Sequence, residues 1–320
     1  MITKEELMSV SYGVLRLEEM DGYWFLRRFT KEQEEVIVPR LDMRRNDSAS
    51  MMRLEFTTCG GALSFDYSAV QTTGRNFCSF DIALDGVPVW HFEERCHTMK
   101  DSIAFTVPQS SQRVKVTVYF SCYNSIGLKN VCLPADFRPT NRQRNILFLG
   151  DSITHGSDAS YPSQSYGNLV TDFFDARSLS QAIGGDYFLA DNLDPNLPFI
   201  PNCVVVAYGT NDWSLGRLRD DTNARAYLDK LTAIYPTQPI FLLLPIWRQE
   251  ETETRFGMTL QQVRDLLAAL GKEYANVHVV DCKNFVPWLP AFFKDEKLHP
   301  NEMGYIHYAN KVIRAMEEVL

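Results

Sequence analysis

The sequence predicts two unlike halves: an antiparallel β-sandwich followed by a doubly wound α/β layer built on a parallel sheet. Three observations carry that expectation. Residues from roughly 10 to 135 run as short segments of alternating apolar and polar side chains. Beyond residue 145 the alternation gives way to nearly continuous apolar runs, and helical stripes lie between and after them. Period-2 alternation marks strands with one buried face, whereas continuous short runs mark strands covered on both faces.

In the first half the alternating segments are Met52-Arg53-Leu54-Glu55-Phe56, Leu63-Ser64-Phe65-Asp66-Tyr67 and Val114-Lys115-Val116-Thr117-Val118-Tyr119. Cys59-Gly60-Gly61 and Leu84-Asp85-Gly86 supply turns, the latter leading into Val87-Pro88-Val89-Trp90. A jelly-roll-like sandwich over 1–135 follows, with the first ten residues unassigned. The stretch Leu133-Pro134-Ala135-Asp136-Phe137-Arg138-Pro139-Thr140 reads as the linker, and Arg142-Gln143-Arg144 as its solvated continuation.

In the second half, 136–320, four apolar runs stand out: Ile146–Leu149, Cys203–Ala207, Ile240–Leu244 and Val277–Val280. Ser178-Leu179-Ser180-Gln181-Ala182 is a shorter fifth. Leu260, Val263, Leu266, Leu267 and Leu270 form a helical stripe behind a Thr259/Gln262 capping box, and Ala309, Val312, Ile313, Met316 and Leu320 form another. Strands alternating with helices imply right-handed crossovers and a parallel sheet.

Composition narrows the function. Hydrophobic residues make up 45% and charged residues 22%, as in ordinary folded domains. A formal charge of -8 argues against nucleic acid as a partner, since duplex binding needs clustered positive charge. The first residues lack a leader-like apolar stretch and no run approaches a membrane span, so a soluble, cytoplasmic protein without a membrane partner is expected. Seven cysteines without Cys-x-x-Cys spacing read as reduced thiols, and no metal or cofactor is expected. The oligomeric state is left open.

Ligands of an open parallel sheet bind beyond the carboxyl ends of its strands. Four clusters converge there: Gly150-Asp151-Ser152-Ile153, Ile183-Gly184-Gly185-Asp186, Gly209-Thr210-Asn211-Asp212 and, ahead of the last helix, Leu298-His299-Pro300-Asn301. Each alone is an ordinary turn or helix cap. Together they offer a hydroxyl, a glycine amide, a side-chain amide and an imidazole at one face, which is what acyl transfer requires.

In that order the four blocks resemble the GDSL/SGNH hydrolase superfamily over residues 145–320. The resemblance implies a flavodoxin-like sheet, Ser152 as nucleophile, His299 as general base, and an oxyanion hole made by the backbone N–H groups of Ser152 and Gly185 with the Asn211 side chain. The family places its third triad member three residues before the histidine, which here is Glu296; Asp295, or a Ser-His dyad oriented by a backbone carbonyl, are the alternatives. A sandwich ahead of such a domain is similar to the arrangement in carbohydrate esterase family 2. That implies hydrolysis of short acyl, chiefly acetyl, esters of a small-molecule or oligosaccharide substrate. A lipase or lysophospholipase is the rival enzyme, and a carbohydrate-binding protein with little turnover is the rival of another class. Trp213 and Trp247, after strand ends, are candidate substrate walls. His155 is expected at the site entrance or in local packing, and Asp151 and Asp212 as loop braces.

Overall fold

A computed structural model describes residues 1–320. The first half contains α1 (Lys4–Val10), β1 (Ser11–Tyr12), β2 (Arg16–Met20), β3 (Tyr23–Arg27), α2 (Lys31–Ile37), β4 (Arg53–Thr58), β5 (Gly61–Gln71), β6 (Phe77–Leu84), β7 (Val87–Arg95), β8 (Thr98–Val107), β9 (Val114–Phe120), β10 (Asn124–Cys132) and β11 (Arg138–Pro139). Two antiparallel sheets result, ordered β1-β4-β9-β6-β7 and β2-β3-β10-β5-β8, with β11 paired to β4. Leu54, Phe56, Phe80, Val116 and Val118 of the first sheet face Leu26, Leu63, Phe65, Ile126 and Leu128 of the second. The sandwich therefore reaches past residue 135, because the linker itself adds an edge strand.

Helices α1 and α2 are additions to the all-β expectation. Each opens with a complete capping box, Thr3 with Glu6 and Thr30 with Gln33. At seven residues each they are too short to produce a helical stripe, which is why periodicity misses them.

The second half contains β12 (Arg144–Gly150), α3 (Ser152–His155), α4 (Tyr166–Phe173), β13 (Ala176–Ser180), β14 (Cys203–Ala207), α5 (Thr210–Ser214), α6 (Thr222–Ile234), β15 (Ile240–Leu243), α7 (Leu260–Gly271), β16 (Val277–Val280) and α8 (Glu302–Glu317). All five expected runs are strands, and every pair is parallel. Their order, β13-β12-β14-β15-β16, puts the first strand between the second and third. That is the doubly wound, flavodoxin-like order with its crevice at the end of β12. Ile146, Phe148 and Val205 pack under α4 and α8; Leu147, Val204 and Leu242 pack under α6 and α7. No helix is long and apolar enough to cross a membrane.

The two halves are joined by buried charge. Arg53 and Glu55, the polar members of the alternating β4 segment, are fully buried, since the outer face of β4 lies against the second half. Arg53 Nη1 donates to Asp172 Oδ1 at 2.7 Å. Arg142 grips Glu55 with two hydrogen bonds, 2.8 and 2.6 Å, and also meets Asp175. Arg142 is thus buried, contrary to the solvated-linker expectation; two carboxylates draw it inward.

Burial opposes ionisation of Glu55, but Arg53 and Arg142 outweigh it and hold its pKa below the ordinary value. A carboxylate with a depressed folded pKa contributes stability above its unfolded pKa and loses it as pH falls through the folded one. Glu55→Ala leaves Arg53 with Asp172 alone and Arg142 with Asp175 alone, so denaturant unfolding at pH 7 should reveal a loss of about 3 kcal/mol, the lower end of what breaking a buried pair costs. A loss below about 1 kcal/mol would mean the pair is dispensable.

Candidate active site

Strand β12 ends on Gly150, where a Cβ would come within 2.4 Å of Thr154 Oγ1 and 2.9 Å of the Ala207 carbonyl. The missing side chain lets the chain turn sharply into α3. Asp151 caps that turn by accepting the Ile153 N–H at 3.0 Å. Burial pushes its carboxyl up to about 7, against the pull of that hydrogen bond. Ser152 is the first residue of α3, so its N–H has no intrahelical acceptor.

The Ser152 hydroxyl lies 2.8 Å from His299 Nε2. On the other side of the ring, Nδ1 lies 2.8 Å from Asp295 Oδ2. Asp295 Oδ1 accepts the backbone N–H groups of Lys297, Leu298 and His299 at 3.0, 2.8 and 3.0 Å, closing a tight turn around the carboxylate. Burial works against ionisation here, yet the His299 hydrogen bond and those N–H groups hold Asp295 well below the usual carboxylate range. Glu296 stands at the tip of the same turn, left-handed at φ 60°, exposed and without a side-chain hydrogen bond or ion pair. The imidazole is therefore oriented from Asp295, four residues back, and not from Glu296: the turn that wraps the backbone around Asp295 carries the next side chain into solvent.

A second carboxylate, Asp158, lies 3.4 Å from His299 Nδ1. Arg75, from the sandwich, neutralises it through two hydrogen bonds of 2.8 and 2.7 Å. Asp158, Asp295 and His299 form the one group of acid and imidazole side chains close enough to share an ion. Their ligand atoms are already taken by one another, by Arg75 and by backbone N–H groups.

Opposite the imidazole, the Gly184 N–H donates to His155 Nδ1 at 3.0 Å. The Gly185 N–H has no acceptor in the chain, and the residue sits at φ 85°. Asn211, on α5, spends one amide N–H on the Asp186 carbonyl at 2.9 Å and keeps the other. Ser152, Gly185, Asn211 and His299 thus line one cavity of about 300 Å³, and Arg45, Thr73, Arg75 and Tyr123 close it from the sandwich side. A larger groove of about 700 Å³ beside α1, near Met8 and Phe199, carries none of these groups.

His155 is packed locally as a buried brace, at the wall of the cavity. Because Nδ1 accepts a hydrogen bond from the Gly184 N–H, the ring's own proton sits on Nε2, 2.6 Å from Ser48 Oγ. Arg28 completes the brace: its fully buried guanidinium donates to the carbonyls of Ser48, Ser180, Ala182 and Arg45 and to Ser48 Oγ, at 2.8–3.1 Å. Burial pushes it down to about 9, which leaves it charged at neutral pH. No local motif announces Arg28, since its partners are 17 to 154 residues away.

Asp212 braces its loop as expected, accepting the N–H groups of Phe188 and Gly209. The two tryptophans do not reach the cavity. Trp213 is 1% exposed, packed in the core under α7, with its Nε1 on the Met258 carbonyl at 2.9 Å. Trp247 stacks on Trp288 at 6.1 Å and meets Phe293. Both belong to packing because the strand-end turns carry them away from the crevice.

Residues 148–306 match the model of the GDSL-like lipase/acylhydrolase family. The chain belongs to the GDSL/SGNH hydrolases. No protein of curated function matches this hydrolase by sequence. Its fold is similar over both halves to several solved structures. One is the salicylyl-acyltransferase SsfX3 from a tetracycline biosynthetic pathway, at 19% identity and TM-score 0.80, covering 97% of this chain and 94% of that one. Another is an active-site mutant of a family two carbohydrate esterase from Clostridium thermocellum, at 16% and 0.65, covering 85% and 93%. A third is the acetyl xylan esterase Est2A from Butyrivibrio proteoclasticus, at 11% and 0.64, covering 99% and 96%. At these identities the likeness is one of fold, sandwich included.

Burial, then the charges of Arg28 and Arg45, push the pKa of His155 well below its ordinary value. It should keep the neutral Nε2–H pattern in 15N NMR spectra of the imidazoles at pH values where exposed histidines have already become protonated. A group with a depressed folded pKa loses its contribution as pH falls from the unfolded value, so protonating it would cost stability in acid. A His155 titration midpoint between 6 and 7 would contradict the buried assignment.

Proposed function

We propose that this hydrolase cleaves short-chain esters, acetyl first among them, on a carbohydrate alcohol through an acyl-enzyme on Ser152. The observation that carries the reading is the unbroken Ser152–His299–Asp295 chain of two 2.8 Å contacts, opening on the cavity where Gly185 and Asn211 keep free donors. Family membership makes the protein an esterase; the acyl group, the alcohol and the residue roles belong to the proposal.

A serine hydroxyl is a poor nucleophile until a base takes its proton. His299 Nε2 accepts that proton as Oγ attacks the carbonyl carbon, and returns it to the departing alcohol. Asp295 fixes the ring with Nε2 unprotonated and stabilises the imidazolium that forms. Negative charge collects on the carbonyl oxygen, where the N–H groups of Ser152 and Gly185 and the Asn211 amide receive it. Water, activated by the same imidazole, then frees the acid.

A carbohydrate alcohol suits a cavity to which only Leu298 and Tyr123 bring large apolar side chains. The same lining speaks against a lipase, which needs an apolar acyl channel. The family two carbohydrate esterase and the acetyl xylan esterase, alike in fold, support the sugar ester. The likeness to an acyltransferase supports a second reading, in which an alcohol instead of water takes the acyl group.

Hydrolysis of 4-nitrophenyl acetate, butyrate and octanoate separates these readings. Acetate should be preferred in kcat/KM and Ser152→Ala should fall to background; a preference for octanoate would point to lipase, and equal rates for wild type and S152A would end the esterase assignment. Asp295→Asn should lower kcat by about a thousand- to ten-thousand-fold, Asn211→Ala by about a hundred- to a thousand-fold. Glu296→Gln should stay within about twofold, as exposed substitutions do.

A further inference from the structure

In a protein whose net charge is -8, the side chains that line the catalytic cavity include cations but no anions. Two arginines, Arg45 and Arg75, line it, and no aspartate or glutamate does. Arg75 is neutralised by Asp158. Arg45 is not: it makes no ion pair, and its one side-chain hydrogen bond runs from Nη1 to the Gly184 carbonyl at 2.8 Å. The nearby carboxylates are committed elsewhere, Asp47 to Arg44 and Asp186 to Arg40. The remaining N–H groups of Arg45 have no acceptor in the chain.

Its position is held from behind. The Arg45 backbone carbonyl accepts from the buried Arg28, and Nη1 stands 3.1 Å from where a Cβ on Gly185 would be. A half-buried, unpaired guanidinium fixed beside the two glycines presents a planar donor fork to whatever lies over Ser152. Its field, with that of Arg28, is also felt at His155.

We propose that Arg45 is a specificity-determining residue that binds a carboxylate on the substrate, so that the natural ester is anionic. This rests on the esterase reading and names its substrate class: a neutral acyl group on an acidic alcohol such as a uronic acid, or a dicarboxylic acyl group on a neutral alcohol. In either case the anion replaces water on an arginine that the protein leaves without a counter-ion.

Two ester pairs test the proposal and distinguish the sources. 4-Acetoxybenzoate against its methyl ester places the charge on the alcohol side. 4-Nitrophenyl hydrogen glutarate against 4-nitrophenyl methyl glutarate places it on the acyl side, with the S152A rate subtracted. The readout is the anionic-to-neutral ratio of kcat/KM in wild type divided by the same ratio in Arg45→Gln. General disturbance of the Gly184–Gly185 turn, and the intrinsic reactivity of each ester, divide out. That quotient should be about tenfold or more for one pair, the scale of a charged hydrogen bond, and Arg45→Lys should keep a good part of it. A quotient near one for both pairs overturns the proposal and leaves Arg45 a support of the turn. If no ester is turned over, the esterase reading fails by itself. Equilibrium binding of 4-acetoxybenzoate and hydrogen glutarate ester to S152A and S152A/R45Q then decides the anion site: loss of binding in the double variant supports it, and equal binding overturns it.

Discussion

Five oxygen atoms gathered around the buried guanidinium of Arg28 set the terms for the rest of the active site. An arginine without a carboxylate partner is costly to bury, and only a full complement of hydrogen bonds makes it tolerable. Here the complement is drawn from both halves of the chain: Ser48 and Arg45 from the sandwich, Ser180 and Ala182 from the end of β13. The loop that carries Gly184 and Gly185 cannot shift without breaking one of those bonds. His155 extends the same brace to α3, so Ser152 and the glycine amide are positioned from one anchor.

Much of this was legible in the sequence, for reasons that can be named. Buried parallel strands need apolar side chains on both faces, so their runs were conspicuous, and β12 to β16 followed them closely. Ser152, Gly185, Asn211 and His299 stand at strand ends or a helix start, where sequence order and spatial convergence coincide. Asp295 was harder, because spacing along the chain does not tell which of two adjacent carboxylates a turn will wrap. The positive φ at Glu296 and the three N–H groups on Asp295 decide that, and both are properties of the folded turn.

What the sequence concealed is what depends on contact between the halves. Alternation in Met52–Phe56 signals one apolar and one polar face, but says nothing of where the polar face goes. Arg53 and Glu55 end up fully buried because Asp172 and Arg142 meet them there. Nothing local to Arg45, Arg75 or Arg28 marks them out, for the same reason. Tryptophans misled in the opposite direction: an aromatic after a strand end suggests a wall, yet Trp213 and Trp247 each had neighbours to pack against.

The seam between the halves has a mechanical consequence. Charged groups held in a dry interface lose far more when parted than apolar ones that can slide, so the Arg53–Glu55–Arg142 network makes the junction a weld and not a hinge. A cavity whose walls come from both sides of a weld keeps one shape through the catalytic cycle. Selection among substrates then falls to a rigid mould, recognising a molecule by what it already is at the door.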